Sequence, residues 1–385
     1  MLNFNFYNPT RIIFGAETIG QLNQLIPSDA RVLLLFGGES ARRNGTLDEI
    51  YRALGQRKVE EFGGIEPNPS YETLMRAVSQ IRENQVDFLL AVGGGSVIDG
   101  TKFIAAAVEY DGEPWEILET RGSKITRALP FGSVLTLPAT GSEMNSGAVI
   151  TRKATQDKLS FMNPLVFPQF SILDPTKTYT LPTRQVANGI ADAFVHVVEQ
   201  YLTYPADAAV QDRFAEGLLH TLIEISTQIK DAPEDYAVRA NLMWAASLAL
   251  NGLIGAGVPQ DWSTHIIGHE LTAMYGIDHA RTLAIVLPAN LQIRREAKRQ
   301  KLLQYAQRIW GITDGTEESR IDQAIEKTRQ FFETLDIGTH LSDYDLSTDT
   351  IDAVIKQLEK HGMTAIGEHQ DVDLATSRRI LQAAL

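Results

Sequence analysis

The sequence predicts an N-terminal α/β domain with a doubly wound, mostly parallel sheet, followed by an all-α C-terminal domain. Three observations predict this fold class. Short apolar runs alternate with helical periodicity up to about residue 175, strand-like runs vanish beyond that point, and 385 residues suffice for about two domains. We assign residues 1–180 to the α/β domain and residues 181–385 to the helical domain.

Three apolar runs in the first domain, at residues 32–36, 88–92 and 134–137, are predicted to be buried strands. Each run is almost unbroken, which is typical of parallel strands that are covered on both faces. Helical patterns lie between the runs, and they open at Ser70 and at Ser96. Alternation of this kind predicts a doubly wound sheet.

The second half of the chain contains only helical patterns, beginning with the stretch TRQVANGIADAFVHVVEQYL. The segment DPTKTYTLPTR precedes it, and Pro175 and Pro182 within that segment break regular structure. We therefore predict that this segment links the two domains.

Composition excludes several classes of function. The 35 basic and 48 acidic residues give a net charge of −13, which argues against nucleic acid or an anionic membrane as the main partner. The chain has no cysteine, so any metal ion must be held by His, Asp or Glu. The N-terminus lacks the pattern of a signal peptide, and no apolar stretch approaches the ~20 residues of a membrane span. We expect a cytoplasmic protein.

Loops that follow the predicted strands are candidates for binding a dinucleotide. They are Gly37-Gly38-Glu39-Ser40, Gly93-Gly94-Gly95-Ser96 and Pro138-Ala139-Thr140-Gly141-Ser142-Glu143. Glycine lets the backbone approach a ligand closely, and the start of a helix presents unpaired N–H groups to a phosphate. No loop matches G-x-G-x-x-G or a Walker A motif. One such loop alone could be a tight turn with Ser96 as a helix N-cap. Their repetition after several strands favours a dinucleotide.

Histidines in the second half indicate a metal site. Asp192 and His196 are four residues apart on a predicted helix, His265 and His269 repeat this spacing, and His279 follows just past a helix break. Three imidazoles and one carboxylate form a ligand set that suits Zn²⁺ or Fe²⁺. A lone histidine on such a helix is usually structural, but the repeated spacing favours a site. Further polar candidates are Glu199, Glu270 and Asp278, the last of which we interpret as a turn residue.

These motifs resemble the iron-containing (group III) alcohol dehydrogenases. The resemblance rests on Gly93 to Lys102 (GGGSVIDGTK), on the PATGSE loop, on the spaced Asp and His residues, and on the stretches GHE and DHA around His269 and His279. It covers essentially the whole chain. Within the family, the sequence is most similar to the NADPH-dependent broad-range aldehyde reductase and butanol dehydrogenase branch.

The resemblance implies specific residue roles. It implies that one metal ion is bound by Asp192, His196, His265 and His279. It implies cofactor contacts at Gly38, Glu39 and Ser40 near the adenosine ribose, at Gly94, Gly95 and Ser96 near the pyrophosphate, and at Asp99, Thr136, Thr140 and Lys158 nearer the nicotinamide. It also implies that His269 assists proton movement or nicotinamide placement, and that the chain forms a homodimer through its N-terminal strands.

The predicted function is hydride transfer between NADP(H) and small primary alcohols or aldehydes. The cofactor carries the hydride, and a divalent ion polarises the carbonyl oxygen as a Lewis acid. No Tyr-x-x-x-Lys pair occurs in the chain, so the carbonyl activation of short-chain dehydrogenases is excluded. His269 is the candidate proton donor.

Several alternatives stay open. An NAD-dependent glycerol or diol dehydrogenase would use the same fold. A lyase similar to dehydroquinate synthase would need more Lys and Arg than the metal-site helices contain. A non-enzymatic nucleotide or metal sensor belongs to another class. A metallohydrolase would leave the glycine loops unexplained.

The choice between NADP and NAD depends on one loop. Glu39 can bond a ribose 2′-hydroxyl and repel a 2′-phosphate, which favours NAD. Ser40, Arg42 and Arg43 lie close by in sequence, and arginine suits a phosphate. We give the two cations and the hydroxyl more weight than one mobile carboxylate and predict NADP(H), with NAD possible because of Glu39.

Overall fold

A six-stranded, fully parallel sheet organises the first part of the chain in the computed structural model, which describes residues 1–385. The chain forms eight strands, six of them in this sheet. They are β1 (Arg11–Phe14), β2 (Arg31–Phe36), β3 (Lys58–Phe62), β4 (Phe88–Gly94), β5 (Phe131–Leu137), β6 (Gly147–Arg152), β7 (Asp157–Met162) and β8 (Phe170–Leu173). The sheet order is β1-β8-β5-β4-β2-β3, and β6 and β7 form a separate antiparallel pair. The predicted fold class is confirmed.

Fifteen α-helices accompany these strands. They are α1 (Leu22–Leu25), α2 (Ser40–Arg43), α3 (Thr46–Leu54), α4 (Tyr71–Asn84), α5 (Gly95–Val108), α6 (Glu116–Glu119), α7 (Thr183–Tyr201), α8 (Ala209–Gln228), α9 (Tyr236–Ala249), α10 (Ser263–Tyr275), α11 (His279–Ile293), α12 (Arg299–Arg308), α13 (Glu317–Thr334), α14 (Thr348–Lys360) and α15 (Leu374–Ala383). The helical character predicted for the second half is confirmed, since every named strand ends by Leu173.

The unbroken apolar runs are explained by burial on both faces of the sheet. Leu33 and Leu35 of β2 pack in one core cluster, which includes residues of α4 and α5. Val32 and Leu34 point to the opposite face and pack in a second cluster, which includes Ile50 of α3. Because successive side chains of a strand face opposite sides, a strand buried on both sides has no solvent-facing position that favours a polar residue.

Strand order creates a switch point in the sheet. The neighbouring strands β2 and β4 are followed by β3 and β5, which lie on opposite sides of the pair, so the connections that leave β2 and β4 run in opposite directions across the sheet. The loops after β2 and β4 therefore flank the crevice where open α/β sheets bind their ligands. The loop after β5 is the next along, because β5 pairs with β4.

The chain divides into two compact units. One comprises residues 7–182 together with residues 232–247, and the other comprises residues 1–6, 183–231 and 248–385. Most of α9 thus packs with the α/β unit, where Met243 joins the core and Ser247 bonds Glu143. The helical unit has its own core, built from α10, α11, α14 and α15.

Two details differ from expectation or extend it. The helix α5 begins at Gly95, with Gly94 as its N-cap, so the prediction that Ser96 opens this helix places the N-cap two residues too late. Ser70 does cap α4, because its side chain accepts a hydrogen bond from the N–H of Thr73.

None of the helices combines the length and the apolar character that a membrane span requires.

Candidate functional site

The glycine loops lie at the carboxyl ends of neighbouring strands. Gly37 and Gly38 follow β2, Gly94 and Gly95 join β4 to α5, and Thr140 follows β5. Gly38 faces open space, since a Cβ atom built there would meet nothing within 4 Å. This edge of the sheet therefore offers bare backbone to a ligand.

Close packing explains the glycines between β4 and α5. A Cβ atom on Gly95 would lie 2.3 Å from Thr140 Oγ1, and one on Gly94 would lie 2.9 Å from Leu137 Cβ. The turn is thus pressed against the end of β5, and Gly94 offers no side chain to cap the first turn of α5. The N–H groups at the start of this 14-residue helix suit a pyrophosphate. The residues therefore fit a bound dinucleotide.

A buried polar network connects α5 to the loop after β5. Lys102 Nζ donates hydrogen bonds to Ser142 Oγ (2.8 Å), Asn145 Oδ1 (2.9 Å) and the carbonyl oxygen of Gly147 (2.7 Å). Asp99 accepts from Ser142 Oγ (2.5 Å) and from a backbone N–H in β6 (2.9 Å). Both Asp99 carboxylate oxygens therefore bond to protein groups, while its role in cofactor binding stays a prediction.

Burial shifts the acidity of this network. Burial lowers the pKa of Lys102 to about 8, although the carboxylates of Asp99 and Glu143 oppose the shift. Burial also raises the pKa of Asp99 and that of Glu143. Sequence reasoning gave Lys102 no role, although a lysine directly before the apolar stretch FIAAAV of α5 was a visible signal.

The adenosine-side candidates are arranged around Arg42. Its guanidinium lies 3.3 Å from the carboxylate of Glu39 and 2.5 Å from that of Glu61 on β3. Glu61 also accepts a hydrogen bond from the hydroxyl of Tyr51, at 2.5 Å. Arg42 is therefore engaged by two carboxylates, whereas the next residue, Arg43, is exposed on α2.

The remaining cofactor candidates lie near the same loops. Thr136 is half-buried close to the end of β5. Lys158 on β7 is buried, and its Nζ donates to Asn68 Oδ1 at 2.8 Å. Their predicted contacts with the cofactor are not decided by this arrangement and stay predictions.

The helical unit gathers the predicted metal ligands. The potential ligand atoms of Asp192, His265 and His279 all lie within 4.8 Å of one another. His196 lies beside them, because its Nε2 is 3.8 Å from Asp192 Oδ1 and its ring stacks on that of His265 at 4.7 Å. His279 Nε2 is also 3.8 Å from Asp192 Oδ1. The helices α7, α10 and α11 thus converge on one cluster.

The cluster fits a single divalent ion. Asp192 Oδ1 is buried and makes no hydrogen bond, so a buried carboxylate oxygen points towards the imidazoles without a proton donor of its own. An ion at about 2.0–2.2 Å from each ligand keeps its ligands within about 4.4 Å of one another. The observed spacing is close to this value. Three imidazoles and one carboxylate are donors that Zn²⁺ and Fe²⁺ accept.

His269 lies next to the cluster rather than within it. Its ring centroid is 5.0 Å from that of His279 and 6.2 Å from that of His265. The ligand atoms that lie within 4.8 Å of one another are those of Asp192, His265 and His279, and His269 is not among them. Its position therefore differs from that of the predicted ligands.

The other polar candidates of the second half have structural partners. Asp278 is the N-cap residue of α11 and accepts hydrogen bonds from Arg184 and Asn188, in agreement with its interpretation as a turn residue. Glu270 Oε1 lies 2.7 Å from Nδ1 of His361. Glu199 contacts His265 directly. Burial and the carboxylate of Asp261 raise the pKa of Glu199, against the effect of neighbouring N–H groups.

Comparison with known proteins shows which family the sequence matches. Residues 9–175 match the family described as iron-containing alcohol dehydrogenase, and residues 186–383 match the C-terminal part of the Fe-containing alcohol dehydrogenase family. The chain is 61% identical to the NADPH-dependent aldehyde reductase YqhD of Escherichia coli K12, with 100% of both chains covered. It is 42% identical to NADH-dependent butanol dehydrogenase B of Clostridium acetobutylicum, again over 100% of both.

Solved structures of similar proteins have the same fold. The crystal structure of E. coli K-12 YqhD superposes with a TM-score of 0.99 at 61% identity, covering 100% of this chain and 99% of that one. NADH-dependent butanol dehydrogenase A of Thermotoga maritima gives a TM-score of 0.94 at 33% identity, with the same coverage.

The fold and the site thus define a metal-dependent oxidoreductase of the dehydrogenase class. The chain belongs to the iron-containing alcohol dehydrogenase family, as the resemblance predicted.

Proposed function

We propose that this enzyme reduces small aldehydes to primary alcohols with NADPH, and catalyses the reverse oxidation, at a site that holds one divalent metal ion. The observation that carries the proposal is the convergence of Asp192, His265 and His279, with His196 beside them, in a chain of this family. The similar E. coli protein is named as an NADPH-dependent aldehyde reductase, and other relatives are named as butanol dehydrogenases.

Asp192, His196, His265 and His279 would hold the ion, and one carboxylate among three neutral imidazoles would leave a net positive charge there. When bound, the ion supplies Lewis-acid polarisation of the substrate oxygen. Either zinc or iron is compatible with the donors. The buried faces of α7 and α10 hold the side chains in place before a ligand arrives.

NADP(H) would lie along the carboxyl ends of β2, β4 and β5 and supplies the hydride. Gly37, Gly38 and Ser40 would face the adenosine side, with Glu39 beside them. Gly94, Gly95 and Ser96 would hold the pyrophosphate at the start of α5. Asp99, Thr136, Thr140 and Lys158 would lie nearer the nicotinamide. The relatives use both cofactors, since one is named NADPH-dependent and another NADH-dependent, so the choice rests on this chain's own loop.

His269 would move the proton. Hydride arriving at the aldehyde carbon leaves negative charge on oxygen, and that oxygen must be protonated by a group within hydrogen-bond reach. His269 is the half-buried imidazole next to the cluster, so it or a water that it holds is suited to this step. The cytoplasmic location and the homodimer through the N-terminal strands belong to the same proposal.

The test combines elemental analysis with a cofactor and aldehyde panel. Protein purified without added metal should contain zinc or iron and should consume NADPH when butanal is added, as followed by absorbance of the reduced nicotinamide. His265→Ala should lose most of the metal and nearly all activity. His220→Ala is the matched control, because this exposed histidine on α8 bonds only the carbonyl of Arg308 in the structure. Metal retained in His265→Ala would contradict the ligand assignment.

The same panel separates the alternatives. Faster turnover with NADH and glycerol or a diol would indicate the NAD-dependent dehydrogenase. Nucleotide or metal binding without turnover of any aldehyde or alcohol would indicate a sensor.

A further inference from the structure

Glu199 on α7 lies on the same helix face as two predicted metal ligands. Asp192, His196 and Glu199 follow one another at intervals of four and three residues, which places them in one stripe of a helix. The Glu199 side chain is buried, with 2% of its surface exposed. Burying a carboxylate costs folding free energy unless hydrogen bonds compensate for the lost water. The hydrogen-bond partners of Glu199 therefore indicate its role.

All the side-chain partners of Glu199 belong to the start of α10. Oε1 accepts hydrogen bonds from the backbone N–H of Thr264 (2.7 Å) and of His265 (3.4 Å). The N-cap residue of α10, Trp262, contributes no side-chain hydrogen bond, so Glu199 satisfies these N–H groups from another helix. The carboxylate thus fixes the backbone position of His265.

The second carboxylate oxygen fixes the ring. Glu199 Oε2 contacts Nδ1 of His265. A carboxylate accepts a proton from Nδ1–H, and this selects the neutral tautomer whose lone pair lies on Nε2. Nε2 of His265 is buried, and since Glu199 contacts Nδ1, Nε2 is the ring nitrogen available as a ligand atom in the cluster with Asp192 and His279.

The surroundings hold Glu199 itself in place. Its carbonyl oxygen accepts the N–H of Asp261 at 2.8 Å. The Asp261 carboxylate lies 2.8 Å from Lys298 and 3.0 Å from Arg294 in a buried ion cluster. Asp261 also accepts the N–H of Ser263, so the segment that leads into α10 is tied to the same framework.

We infer that Glu199 is a positioning residue of the metal site, which orients His265 and holds it in the tautomer that binds a divalent ion through Nε2. This inference rests on the proposed function, because it takes His265 as a ligand. Outer carboxylate partners of ligating histidines typically contribute 10–100-fold in metal affinity.

The test is Glu199→Gln, which keeps the size of the side chain and an oxygen acceptor but removes the negative charge. Zn²⁺ affinity of the metal-free protein, measured by competition with a chelating dye, should fall 10–100-fold. Glu216→Gln is the matched control. Glu216 is also a buried carboxylate in the helical unit, but it bonds Tyr201, Arg213 and Arg308 and no predicted ligand. The Zn²⁺ affinity of Glu216→Gln should equal that of the wild type.

A second readout separates positioning from general weakening of the fold. In ¹⁵N-histidine spectra of the metal-free protein, His265 should be protonated at Nδ1 in the wild type and lose this preference in Glu199→Gln. Its signal is assigned by its loss in His265→Gln. The inference is overturned if Glu199→Gln binds Zn²⁺ within twofold of wild type, if Glu216→Gln weakens binding as much, or if wild-type His265 carries its proton on Nε2. Failure of the wild type to bind any metal would instead overturn the proposed function.

Discussion

At the residue scale, Arg42 and Arg43 are adjacent in sequence but differ in what holds them. Arg42 is bound between Glu39 and Glu61, and its guanidinium also lies over the ring of Phe36 at 5.6 Å. Arg43 is exposed on α2. The free guanidinium is therefore better suited to reach a 2′-phosphate than the engaged one, a distinction that sequence spacing could not make.

We predict that Arg43→Ala lowers kcat/KM with NADPH by about 10–100-fold and leaves kcat/KM with NADH unchanged. The loss corresponds to the contribution of one hydrogen bond to a charged group. Glu39→Gly should act in the opposite direction, because it removes a charge that repels the phosphate. Steady-state kinetics with both cofactors measure this. A larger loss of NADPH selectivity in Arg42→Ala than in Arg43→Ala would show that Arg42 leaves Glu61 to bind the phosphate.

His269 is the second residue whose position separates two roles. It lies beside the metal cluster, but the ligand atoms that converge are those of other residues. We predict that His269→Ala keeps its metal and loses about 10²–10⁴-fold in kcat, the usual contribution of one general acid or base. Elemental analysis and the pH–rate profile are the measurements. Turnover and a pH profile equal to those of the wild type would remove His269 from the mechanism.

At the element scale, the buried ammonium of Lys102 and the carboxylate of Asp99 link α5 to the loop after β5. Lys102 donates to Ser142, Asn145 and the Gly147 carbonyl, so one side chain holds two residues of the loop and the first residue of β6. The helix start and the loop are both candidate cofactor elements. Their relative position within the α/β unit therefore depends in part on a buried ammonium, and burial makes its charge costly to keep.

This cost predicts a pH dependence of stability. The pKa of Lys102 is lowered to about 8 in the folded protein, below its ordinary value of 10.5. Between these values the unfolded chain holds a proton that the folded protein lacks. The contribution of Lys102 to stability is therefore fully present above pH 10.5 and is lost as the pH falls through 8.

We predict that the free energy of unfolding of wild type relative to Lys102→Met rises by up to about 3 kcal/mol between pH 7 and pH 10.5. Urea denaturation at several pH values measures the difference, in which titrating groups that do not interact with Lys102 cancel. Lys58→Met, at the exposed first residue of β3, is the control and should show no such trend. A constant difference, or one that falls with pH, would contradict the lowered pKa.

At the scale of the whole molecule, the two candidate sites belong to different compact units. The glycine loops lie within residues 7–182, whereas all four predicted metal ligands lie in the helical unit. Ligands that bind only the folded state stabilise it by mass action, by about 4 kcal/mol at 1,000 times the dissociation constant. Each ligand should therefore protect mainly the unit that holds it.

We predict that chelation of the metal increases hydrogen exchange in peptides from α7, α10 and α11 and leaves peptides from β2 and β4 unchanged. Hydrogen exchange of the whole enzyme with and without chelator, followed by mass spectrometry of its peptides, measures this. In His265→Ala, added chelator should cause no further change in exchange. Equal deprotection of the sheet peptides, or none in the helices, would contradict the assignment.

Local patterns in the sequence determined the fold class and much of the candidate site. Unbroken apolar runs predicted β2, β4 and β5 because a buried parallel strand has no polar face, and the four-residue spacing in Asp192/His196 and His265/His269 predicted shared helix faces. The edge strand β3 escaped prediction because KVEEF carries charges on a partly exposed edge. The family was also visible from ordered motifs alone.

Only the tertiary structure decided which distant elements meet. It placed β2 beside β4, so that two glycine loops flank one crevice, and it packed residues 232–247 with the α/β unit. It engaged Arg42 with Glu61 and brought Glu199 to the ring of His265. The physical reason is range. The periodicity of a helix or strand is set by neighbours a few residues away, whereas Arg42 and Glu61 are 19 positions apart, Glu199 and His265 are 66 apart, and such contacts depend on how the elements pack.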